Sequence, residues 1–101
     1  MAREQFQTLT EPMYYILLAL LEECCGVDIM EKVNALSHGR VQVGPGTLYA
    51  MLARFESNHI VRLTASNGRK KSYIITDTGR EMLLKEFQRL ETMVKDGSPY
   101  L

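Results

Sequence analysis

Apolar residues in the first third of the chain follow the 3.6-residue period of a helix. Met13, Ile16, Leu17, Leu20, Leu21 and Cys24 fall on one stripe. Thr10 is placed to cap this helix, and Pro12 sits in its first turn, where a missing N–H costs little. Gly26 stops it, so the pattern predicts a helix from Thr10 to about Cys25, behind a frayed segment over residues 1–9. Tyr14, Tyr15, Leu18 and Ala19 leave almost no polar flank on it. A helix that is apolar all round must be covered all round. A chain of 101 residues has little material for that, which implies a second subunit.

Val27, Met30, Val33 and Leu36 predict a second helix over Val27–Leu36, broken by Ser37–Gly39. Val41-Gln42-Val43 reads as a very short strand. A third helix starts at Pro45 and ends near Asn58. The period then changes to 2. Ile60–Thr64 and Ser72–Thr76 are β-prone runs, and Asn67-Gly68 between them is a strong hairpin-turn signal. Thr76 caps a last helix that runs to about Lys95, where Gly97 and Pro99 end it. Its Leu83, Phe87, Leu90 and Val94 follow the 4-3-4 spacing of a seam that packs on another helix. A helix of this length projects beyond a three-helix core, the second indication of a dimer.

Three helices followed by a two-stranded hairpin is the winged helix-turn-helix plan, mostly α with a small β-hairpin, here with a C-terminal helix added. The expected division is a DNA-binding unit over 1–76, with the recognition helix at 45–58 and the wing at 60–76, and a dimerisation helix over 77–96. On a helical wheel of 45–58, Leu48, Met51, Leu52 and Phe55 share the core sector. Gly46, Tyr49, Ala50, Ala53 and Ser57 lie opposite, with Thr47 and Arg54 at the edge. Ordinary exposed faces are rich in Glu, Lys and Gln. A face of small residues with two long ones suits a helix entering a groove only ~12 Å wide.

Charge sharpens this reading. The chain is neutral overall, with 12 basic and 12 acidic residues. Residues 1–31 nevertheless sum to −5, residues 32–76 to +6 and residues 77–101 to −1. A basic middle segment points to a polyanion. Arg69, Lys70 and Lys71 at the hairpin tip are placed to track a phosphate backbone, which supplies affinity without reading sequence. Charge that protects an exposed hairpin edge is the plainer alternative.

Other chemistry is sparse. Cys24 and Cys25 are adjacent, with no metal-ligand spacing, and read as small hydrophobes in a reducing compartment. His38 and His59 are the only histidines, and neither completes a metal or catalytic motif, so no enzyme, metal or cofactor is expected. The glycines of "VGPGTLYAML" suggest a phosphate loop, but no lysine follows Gly44-Pro45-Gly46-Thr47. The apolar run over residues 12–21 is too short to span a bilayer and lacks the flanks of a signal peptide, which implies a soluble cytoplasmic protein.

The stretches "GPGTLYAMLARFE" and "GRKKSYIITDTGREML" resemble the PadR-type transcriptional regulators, and the likeness extends from about Thr10 to Val94. The final helix resembles that of the small-subunit branch. The resemblance implies a homodimeric winged-helix repressor that binds double-stranded DNA at an inverted repeat. Carried over by position, Thr47 and Tyr49 contact DNA, with Gly46, Ala50 and Arg54 on the same face and Arg69, Lys70 and Lys71 along the wing. The dimer interface falls on Tyr14, Leu18, Leu83, Phe87, Leu90 and Val94. Some members release DNA on binding a small aromatic effector near that interface. This chain departs from the pattern in three places: Val27 replaces an aromatic, His59 replaces a glycine after the recognition helix, and there is no tryptophan. The alternative is a winged helix that binds protein and not DNA.

Overall fold

A computed structural model describes residues 8–68 and 70–101. The elements run α1 (Glu11–Ala19), β1 (Cys24–Cys25), α2 (Gly26–Leu36), α3 (Pro45–Ser57), β2 (Val61–Asn67), β3 (Lys70–Ile75), α4 (Asp77–Gly97) and a 3-10 turn over Ser98–Tyr100. The sheet is antiparallel in the order β1-β3-β2. This is a winged helix-turn-helix fold extended by a long last helix.

The expected caps form. Thr10 accepts the Met13 amide at 3.4 Å, and Thr76 accepts the Gly79 amide at 3.1 Å. Each satisfies a donor that the first helical turn leaves unpaired. Pro45 opens α3 behind Gly44, as the sequence implies.

Several elements differ from expectation. The first helix ends at Ala19, not near Cys25. Leu20 is its C-cap, and the Leu20 carbonyl accepts the amide of Ile75 at 2.9 Å. The chain beyond it crosses to the sheet, where Cys24 pairs with Tyr73 and Cys25 with Ser72. Sheet pairing with a distant strand overrides the local helical pattern. The expected short strand at Val41–Val43 does not form. Those residues are irregular, and the two valines are buried as plugs of the core. The fully buried Ser37 hydroxyl holds them, accepting the Val41 amide at 3.0 Å and lying 3.2 Å from the Val41 carbonyl oxygen.

The hairpin is longer than the β-prone runs. Asn67 closes β2 opposite Lys70, so the link between the strands begins at Gly68, whose φ is 61°. A bulge at Thr64 shifts the register between Leu63 and Ala65. The Thr64 hydroxyl lies 2.6 Å from a Glu23 carboxylate oxygen, which ties the base of the wing to the turn before β1.

One core unites these elements. Ile16, Leu17, Leu20, Ile29, Leu48 and Phe55 are fully buried in it, as are Leu52, Val33 and Ile60. The start of α4 belongs to it as well. A Cβ on Gly79 would meet the Ile60 carbonyl oxygen and lie 2.7 Å from Ile75 Cγ1, so glycine lets α4 lie against the sheet. Beyond Glu86, almost every residue of α4 is exposed. No helix of the described residues is long and apolar enough to cross a membrane.

Candidate nucleic-acid interface

Helix α3 buries Leu48, Leu52 and Phe55 completely, with Met51 half-buried beside them. The opposite sector is open. Gly46, Thr47, Ala50, Ala53, Arg54 and Ser57 are all exposed. A Cβ on Gly46 would have nothing within 4 Å, so that glycine keeps the surface low instead of making room for a neighbour.

The helix ends on His59. Its φ of 60° is the left-handed conformation, and the Ile60 amide reaches back to the Phe55 carbonyl at 2.8 Å. This is the closure that a glycine usually makes. Histidine adopts it here because Ile60, the next residue, is drawn into the core.

Tyr49 departs from the wheel. Its backbone lies in the open sector, yet its ring folds down over the start of α2. A Cβ on Gly26 would collide with the Tyr49 hydroxyl and lie 2.7 Å from Cζ. Tyr49 is 40% exposed, half contact and half surface. It lines a cleft of about 420 Å³ together with Cys25, Asp28, Lys70 and Lys71. Lys70 and Lys71 are exposed on this cleft, so the wing cations and the recognition helix share one side of the molecule. Arg69, the first of the three wing cations named from the sequence, lies outside the described residues.

Sequence reasoning missed Gly26, Asp28 and Cys25 as walls of this cleft. Gly26 read only as a helix stop. The cysteines are buried free thiols, and burial pushes the Cys24 thiol above its ordinary pKa. Cys25 sits 3.3 Å from Asp28 Oδ2 at the start of α2. Among the described residues, no cluster of three or more His, Cys, Asp or Glu side chains could hold a metal.

The residues named for an interface between subunits divide. Phe87, Leu90 and Val94 are exposed large apolar side chains, and Tyr14 and Leu18 are half-buried. Leu83 is not part of the exposed stripe. It is 6% exposed and packs in the core of its own subunit, because the first two turns of α4 lie against α1. Its edge still lines a groove of about 310 Å³ with Tyr14, Leu18, Leu84 and Phe87. Glu86, on the neighbouring turn, is a buried carboxylate that sequence patterning gave no reason to single out. Arg89 binds it through two nitrogens at 2.7 and 2.8 Å, and the Leu9 amide donates at 3.3 Å. The Arg89 bonds hold its carboxyl below the usual range against the opposing effect of burial.

Comparison with known proteins agrees with this architecture. A sequence model of the transcriptional regulator PadR-like family matches residues 16–85. A 37.1 kDa protein of unknown role from transposon TN4556 of Streptomyces fradiae is 42% identical over 84 residues, covering 75% of this chain and 24% of that protein. The chain thus spans about a quarter of the curated relative it matches. A transcriptional regulator from Clostridium thermocellum superposes with a TM-score of 0.73 at 21% identity, covering 90% of this chain and 94% of the other. A PadR-like transcriptional regulator from Bacillus cereus gives a TM-score of 0.64 at 27% identity, covering 85% and 87%.

Proposed function

The chain belongs to the PadR-like family of transcriptional regulators, and from that membership we propose that it binds double-stranded DNA as a homodimer and represses transcription at an inverted repeat. One observation carries the reading: Tyr49 of α3 and the wing lysines Lys70 and Lys71 line one cleft, beside a recognition-helix face that is otherwise small and exposed. In this reading Thr47 and Arg54 contact base edges. Gly46 and Ala50 let the helix sit deep in the major groove, and the wing follows the phosphate backbone. Arg69 extends the wing's charge. The segment 1–76 acts as the DNA-binding unit, and 77–96 joins the two copies.

The dimer uses what α4 leaves uncovered. Phe87, Leu90 and Val94, with Tyr14 and Leu18 of α1, are the surface a second copy would cover. A two-fold pair of recognition helices suits half-sites one helical turn apart, ~34–36 Å. Release by a small aromatic ligand is assigned to the groove walled by Tyr14, Leu18 and Phe87.

Affinity selection of genomic fragments by the purified protein tests the reading. Enrichment of a palindromic motif upstream of a gene is expected, with retention on heparin lost by about 0.5 M salt. No enriched motif, together with no retention on heparin, would turn the assignment toward a protein-binding winged helix.

A further inference from the structure

Tyr49 is the one bulky aromatic on the outward sector of α3, yet it does not project from the helix. Its phenol lies on Gly26, which has no side chain to displace it. Its ring thereby packs against the start of α2. Among the described residues, its hydroxyl has no hydrogen-bonding partner, and the residue lines the cleft that Lys70 and Lys71 border. A side chain pinned in this way cannot swing to follow a base edge. An unpaired O–H on a residue whose cleft Lys70 and Lys71 also line instead suits an anionic oxygen. Asp28, the acid in the same cleft, has its carboxylate 3.3 Å from the Cys25 thiol.

We infer that Tyr49 is a backbone-contacting residue: seated on Gly26, it fixes the stance of the recognition helix and donates its hydroxyl to a DNA phosphate between that helix and the wing. It therefore adds affinity and no base preference. This rests on the DNA-binding reading above and changes the part Tyr49 plays in it. Sequence reading is then left to Thr47, Arg54 and the methyl of Ala50.

The test is a selection from a random-sequence pool of 30-base-pair duplexes, run with the wild type and with Tyr49→Phe. The variant keeps the ring on Gly26 and loses only the hydroxyl. It should enrich the same motif as the wild type. It should also bind both that motif and random duplex roughly 10- to 100-fold more weakly, since a lost bond to a charged acceptor is worth about that factor. Its thermal midpoint should not move, because the hydroxyl holds nothing in the protein. Gly26→Ala, whose methyl evicts the phenol, should weaken binding at least as much. A changed base preference in Tyr49→Phe would overturn the inference, as would wild-type affinity in that variant. A wild type that enriches no motif would instead overturn the DNA-binding reading on which it stands, so the two failures are distinguishable.

Discussion

The Thr76 hydroxyl lies 2.6 Å from the carbonyl oxygen of His59. Thr76 also caps α4, and His59 is the left-handed residue that ends α3. Two elements with different tasks thus meet through one hydroxyl.

Thr76→Ala removes the hydroxyl's bonds to His59, Ile60 and Gly79, and Thr76→Ser keeps them. The alanine variant is expected to lose about 1–2 kcal/mol, the usual cost of an N-cap. The serine variant should stay within ~0.5 kcal/mol of the wild type. Urea unfolding measures both. Equal losses in the two variants would assign the cost to the methyl group and not to the bonds.

Lys70→Ala and Lys71→Ala should each weaken binding to every duplex alike. If each lysine touches one phosphate, the slope of log affinity against log salt falls by ~1 per variant. The motif selected by the protein should not change. A slope unaltered in both variants would place the wing away from the backbone.

Glu86 gives the stability a defined pH dependence. Its folded pKa lies below the ordinary value, ~4.3 in an unfolded chain, because Arg89 and the Leu9 amide bind the charged form. The unfolded state therefore takes up a proton first as pH falls. The stability this group contributes is full at neutral pH and is lost as pH drops through ~4 toward the folded pKa. Glu86→Gln should be less stable than the wild type at pH 7, with the gap narrowing in acid. Urea midpoints at the two pH values measure this. A gap that widens in acid would reverse the sign of the shift.

Phe87→Lys should separate the proposed dimer without unfolding the subunit, since Phe87 is 49% exposed and lies beyond the buried part of α4. Sedimentation at micromolar concentration is expected to give a dimer for the wild type and a monomer for the variant. A wild-type monomer would remove the basis for an inverted-repeat site.

Features set by local chemistry were legible in the sequence. Pro45 and Gly44 mark the start of α3, and the two threonine caps announce themselves by position. His59, which stands where the family's pattern has a glycine, takes the left-handed turn that position calls for. Features that depend on distant partners were not legible. Nothing near Leu20 says that its carbonyl belongs to Ile75, so α1 was expected to run on. β1 is two residues long and cannot show a period. Tyr49 was placed correctly on its helix, but a wheel carries no information about where a side chain bends, and Gly26 is 23 positions away. Leu83 and Phe87 share one seam by spacing, yet Leu83 is buried and Phe87 is 49% exposed. The seam is therefore split between the subunit's core and its surface.

β3 ends at Ile75 and α4 begins at Asp77, with only Thr76 between them. No tether separates the wing from the helix proposed to pair two copies, and Thr76 bolts that junction to the end of α3. In the proposed dimer each copy would act as a bracket, so a molecule wedged between two brackets would change the distance between the reading heads without bending either one. In such an assembly the operator spacing would be a gauge of one angle, and regulation would amount to throwing that gauge out of true.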